Sequence, residues 1–129
     1  MVRLVGFLCL SLVLYCSSCT ETREDKIVKY LNSINLDGDV SIGILNPDHC
    51  GSCTDYSIDW LSRKNKNHQR KVILTTGVLK TDHKNMLSNN GYSFITVETE
   101  KIARVGILLA ACTYIEMKSG DLIHMETVK

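Results

Sequence analysis

Residues 40–61, VSIGILNPDHCGSCTDYSIDWL, decide how this chain is to be read. Val40 to Leu45 is a short apolar run rich in β-branched residues, the pattern of a buried strand. Asn46-Pro47-Asp48 breaks it. Beyond His49-Cys50-Gly51-Ser52-Cys53, the residues Cys53, Tyr56, Ser57, Trp60 and Leu61 recur on one face of a helix. Two cysteines therefore fall where a strand ends and a helix begins. A thiol there faces unpaired backbone N–H groups and the positive end of the helix dipole, which stabilise a thiolate. Cys50 is the candidate nucleophile and Cys53, one turn inward, the resolving thiol. Gly51 and Ser52 are small enough to leave Cys50 accessible. An inert staple is the weaker reading, because so short a disulfide loop removes little unfolded-state entropy.

Outward from this stretch, elements alternate. Glu24 to Ile34 has Ile27, Val28, Leu31 and Ile34 at helical spacing, followed by an Asp37-Gly38-Asp39 turn. Residues 63 to 71 carry Arg63, Lys64, Lys66, Arg70 and Lys71 and read as a solvated connection. Lys71 to Thr76 is a second strand, and a short helix from about Asp82 ends at Asn90-Gly91. Tyr92 to Val97 is a third strand and Glu98 to Leu109 a helix, weakened by Gly106. Thr113 to Met117 and Leu122 to Thr127 flank Lys118-Ser119-Gly120-Asp121 as an antiparallel hairpin. Such alternation predicts an α/β layered domain with a mixed sheet.

The N-terminus has a different character. Arg3 precedes an apolar run from Leu4 to Tyr15, too short for the roughly 20 residues that span a bilayer. Cys16-Ser17-Ser18-Cys19-Thr20 and a polar run follow. This segment resembles a bacterial lipoprotein signal, which implies residues 1–19 as signal, lipidation at Cys19 and a domain over 20–129. Cys16 is the poorer acceptor, since bulky Tyr15 precedes it. A plain secretory signal cleaved near Ser18 would also export the protein. Either way the location is the cell envelope, and lipidation adds a membrane anchor facing the periplasm. Of six cysteines, the folded domain then keeps Cys50, Cys53 and Cys112, an odd number that cannot all pair internally.

With 129 residues, 44% of them hydrophobic, the chain can build one core. Fifteen basic against 14 acidic side chains give a net charge of +1, no field for nucleic acid.

The order strand, Cys-Gly-Ser-Cys, helix, strand resembles the thioredoxin superfamily, and the later part, with Val105-Gly106-Ile107 and a Lys-x-Gly hairpin turn, resembles its membrane-tethered TlpA-like branch. The likeness covers roughly residues 40 to 128. It implies a three-layer fold with a mixed central sheet and thiol–disulfide exchange on exported proteins, without a cofactor. His49, Gly51, Ser52, Cys112 and Thr113 then become the residues that meet substrate.

Three departures accompany the likeness. Cys112 stands where the family places a cis-proline; a cis bond before a non-proline residue costs about 2.5–4 kcal/mol, so Ala111–Cys112 is expected to be trans. Ile44 replaces a buried carboxylate that moves protons for the inner cysteine, and His49 replaces a tryptophan. Protonated, His49 would stabilise the Cys50 thiolate; otherwise it is an exposed polar residue. Finally, the family covers its hairpin with a last helix, whereas this chain stops at Lys129, so a partly bare sheet face favouring self-association is expected.

Two other functions compete with exchange. Cys112 could bring a third thiolate toward Cys50 and Cys53, with His49 as a fourth ligand, for zinc, copper or an iron–sulfur cluster. Alternatively, a non-catalytic binding lipoprotein would keep the fold without turnover, leaving Tyr56 and Trp60 a core role.

Overall fold

The computed structural model describes residues 21–48, 51–64, 70–107 and 112–128, with only the backbone of 51–53. Helix α1 (Arg23–Ser33) opens on a capping box. The Thr22 hydroxyl accepts from the Asp25 N–H and the Asp25 carboxylate accepts from the Thr22 N–H, both at 3.2 Å. Its buried stripe is Ile27 and Leu31. The helix stops where Asn35 adopts φ 62°, and the Leu36 N–H reaches back to the Leu31 carbonyl at 2.9 Å, seating Leu36 in the core.

Strand β1 (Val40–Leu45) is buried at every position, as a central strand covered on both faces must be. Helix α2 (Gly51–Lys64), strand β2 (Arg70–Thr75), helix α3 (Thr81–Asn89), strand β3 (Tyr92–Thr96), helix α4 (Thr99–Arg104) and the hairpin β4 (Cys112–Lys118) and β5 (Asp121–Val128) follow. The five strands are ordered β3-β2-β1-β4-β5. β1, β2 and β3 run parallel, whereas β4 is antiparallel to β1 and to β5. The α/β class and mixed sheet expected from the sequence are thus present.

Alternation along the strands divides the core into two halves. On one face Ile42, Ile44, Val72, Leu74, Ile115 and Met117 pack with Ile27 and Leu31 of α1 and Ile102 of α4. On the other, Leu45, Ile73, Tyr92, Cys112 and Tyr114 pack with Ile58 and Leu61 of α2 and Leu87 of α3. The arrangement is helices, sheet, helices. Gly43 sets the spacing of α2: a Cβ there would come within 2.8 Å of Ile73 Cδ1 and 2.9 Å of Leu61 Cδ2.

Several boundaries differ from those read in the sequence. β2 begins one residue earlier, at Arg70, whose guanidinium donates to the Asn35 carbonyl at 3.1 Å. The helix expected over residues 98 to 109 ends at Arg104, because Gly106 takes φ 84°. The Gly106 N–H then reaches Ala103 at 3.0 Å and the Ile107 N–H reaches Ile102 at 3.4 Å, a closure that terminates the helix. Tyr56 is not a core residue. The buried stripe of α2 is Thr54, Ser57, Ile58 and Leu61, so Tyr56 falls outside it and is 58% exposed. The hairpin turns through Ser119 and Gly120, with φ 52° and 81°, which suits the twist of its strands. The α2-side face of the hairpin carries the hydrogen-bonded side chains of Glu116, His124 and Glu126. Among the described residues no helix is long and apolar enough to cross a membrane.

Candidate redox site

β1 delivers the chain to the site through a braced turn. The Asn46 carboxamide oxygen accepts from the Asp48 N–H at 3.3 Å and from the Thr76 hydroxyl at 3.2 Å, and the Thr76 N–H donates to the Leu45 carbonyl at 3.1 Å. Gly77 packs against this turn so closely that a Cβ would meet Asp48 Oδ2 at 3.0 Å and Pro47 Cγ at 3.1 Å. Six residues after the end of β1, α2 begins at Gly51, with Cys53 in its first turn. No acidic residue occupies that first turn, and Arg63 and Lys64 close the last one. The helix dipole therefore meets no opposing carboxylate from α2 itself at the end where a thiolate would gain from it. His49, Cys50 and the Ala111–Cys112 bond lie outside the described residues, as do Cys19 and the side chains of Gly51, Ser52 and Cys53.

Cys112 is the first residue of β4, one step past the Ile44–Thr113 pair and hence beside the end of β1 that leads to α2. Its side chain lies on the α2 face and is 3% exposed. Burial pushes its thiol up to about 12, and a hydrogen bond from Ser57 pulls modestly the other way. Ser57 sits one helical turn beyond residue 53, on the same side of α2. Thr113 faces the opposite side of the sheet, with its hydroxyl 3.3 Å from that of Thr127. The two candidate substrate-meeting residues of this strand thus point apart, and Thr113 can serve a substrate only through its backbone. Ile44 also belongs to the face opposite α2.

The sequence reading missed the polar partners around α2. Ser57 was legible only as a helix-face position, since its partner comes from a strand far along the chain. Asp55 joins α2 to α3 through His83 Nε2 at 2.5 Å. Buried Tyr114 donates to Glu116 at 2.8 Å, is hydrogen-bonded to Ser41 at 3.4 Å and meets Trp60 edge-on at 6.3 Å. Burial, the largest influence, pushes the Tyr114 phenol up to about 12 as well. Lys64 pairs with Glu126 and lies over Trp60, fastening the end of α2 to β5. Among the described residues, no three His, Cys, Asp or Glu side chains converge as a metal site would require.

These two raised groups fix an alkaline limit. Cys112 rises from 9.0 to about 12 and Tyr114 from 10.0 to about 12, so the unfolded chain loses protons first. Stability from both is full below pH 9 and declines as pH climbs from about 9 toward 12. Denaturant midpoints measured across that range should fall, and a Cys112→Ala, Tyr114→Phe double variant should show a flatter decline. An unchanged slope would mean that neither group is held neutral by the fold.

No protein-family model matches the chain, and no curated protein matches it.

Proposed function

We propose that this protein is a thiol–disulfide oxidoreductase of the cell envelope, lipidated at Cys19 and built on a thioredoxin-like domain. The observation that carries the reading is the junction itself. Cys50 immediately precedes α2, Cys53 lies in its first turn, and the strand before them is the fully buried β1. A braced turn of this kind fixes the helix start, where backbone N–H groups favour a thiolate.

The reaction balances without a cofactor. The Cys50 thiolate attacks one sulfur of a substrate disulfide, forming a mixed disulfide and expelling the other sulfur as a thiolate that takes up a proton. The Cys53 thiolate then attacks Cys50 Sγ and releases the second substrate thiol. The substrate gains two electrons and the enzyme is left as the Cys50–Cys53 disulfide, to be returned by a dithiol reductant. Run backwards, the same steps oxidise a substrate dithiol.

Trapping tests the reading. A Cys53→Ala protein expressed toward the periplasm should accumulate mixed disulfides through Cys50, visible as reductant-sensitive adducts. Recovery of only free Cys50 thiol would overturn exchange. Stoichiometric metal in the purified wild-type domain would replace it with the soft-metal alternative.

A further inference from the structure

The two ends of α1 locate the N-terminal anchor relative to the thiol pair. Its C-terminal end lies at the edge where the parallel strands begin, because Arg70, the first residue of β2, donates to the Asn35 carbonyl. Its first residue lies at the opposite edge. There Arg23 packs on Gly106, whose Cβ position is 3.3 Å from Arg23 Nε, just ahead of the described start of β4. β4 starts beside the end of β1, the edge from which the chain enters α2. A helix of 11 residues spans about 16 Å, close to the roughly 20 Å of a six-residue strand, so α1 runs the height of the sheet.

The N-terminus of α1 and the start of α2 therefore share one end of the domain. Only two residues separate Cys19 from the N-cap Thr22, so that three Cα–Cα steps give a reach of at most about 11 Å. Resting on the lipidation and exchange readings above, we infer that the anchor holds the thiol pair against the membrane, so that the substrates are disulfides in the segments of membrane-anchored proteins just outside the bilayer. Acidic side chains open the helices that start at this end, Glu24 and Asp25 on α1, Asp82 on α3 and Glu100 on α4. Arg23 and Lys80 stand at the same helix starts, so this end carries both signs of charge and the anchor, rather than electrostatic docking, sets its distance from the lipid. Val78, 93% exposed and next to Gly77 on the braced turn, offers such a substrate segment an apolar contact.

The test uses the lipidated full chain in vesicles of phosphatidylethanolamine and phosphatidylglycerol. In a Cys50→Ser, Cys53→Ser background, a fluorophore is placed through Val78→Cys near the anchor end or through Ser88→Cys at the far end of α3. Lipids with a headgroup nitroxide should quench the first label at least twofold more than the second. Equal quenching, stronger quenching of the second, or failure of the protein to bind vesicles would each overturn the proposal.

With native cysteines, the vesicle-bound protein should favour a lipid-tethered disulfide peptide over insulin at least tenfold more than the unlipidated Cys19→Ala protein does. Thirty Gly/Ser residues inserted between Thr20 and Glu21 should erase that preference. A preference identical in all three proteins would show that the clients are soluble. Absence of insulin reduction by the Cys19→Ala protein would instead remove the exchange reading itself, while the quenching result would still report the orientation.

Discussion

A Cys50→Ser protein is expected to reduce insulin no faster than the reductant does alone, a loss of at least about a thousandfold, with thermal stability unchanged. The size follows from the lack of a substitute. A serine hydroxyl cannot be ionised by a helix end as a thiol can, and neither remaining cysteine is placed to take over. Cys112 is 3% exposed beneath α2, with its thiol pushed up to about 12. Cys53 lies a turn further along the helix. Insulin turbidity and a denaturation curve on the same preparation check both halves. Retained reduction would remove exchange through this pair and bring the non-catalytic binding lipoprotein forward.

Gly43→Val is expected to destabilise the domain by about 3 kcal/mol, lowering the midpoint of thermal unfolding by roughly 10–20 °C. The first added atom would already stand 2.8 Å from Ile73 and 2.9 Å from Leu61. Both of those side chains are fully buried, so neither has space to retreat into. Relief must come from lifting α2 off β1, and the start of α2 carries the thiols. Activity should therefore fall in the fraction that remains folded, and Gly43→Ala should give a milder form of both effects. Calorimetry of the variants checks the prediction; an unshifted midpoint for Gly43→Val would mean that α2 is not held at this distance.

Local patterns made most of the elements legible. The β-branched run from Val40 to Leu45 and the turn signals at Asn90-Gly91 and Ser119-Gly120 state their conformations through short-range sterics, and the strand and hairpin stand where those signals put them. Errors arose where two local signals competed. Apolar spacing continued past Arg104, but the left-handed conformation open to Gly106 ended α4 there. Tyr56 lay on a plausible apolar stripe, yet the true stripe of α2 is rotated because Thr54 and Ser57, small and polar, are the residues that fit against the sheet. The partners of Cys112 and Tyr114 were not legible at all. They are set by which strand lies beside β1, a property of the whole chain that no window of sequence contains.

The position of β1 also governs the order in which the domain assembles. Its parallel neighbour β2 arrives soon after it, but its other neighbour, β4, comes from the last part of the chain. Closing so long a loop is entropically expensive, so the central strand gains its second ladder late, after the hairpin has formed through its own tight turn. Under the proposed function, a chain emerging into an oxidising compartment would hold the thiols of Cys50, Cys53 and Cys112 unprotected for a time. On that reading the ring between Cys50 and Cys53 would close locally, ahead of any encounter with Cys112. Arrival of β4 then seals Cys112 beneath α2 and ends the competition. Oxidative maturation under the proposed function would in this way be ordered by topology, the short ring first and the burial of the odd cysteine last.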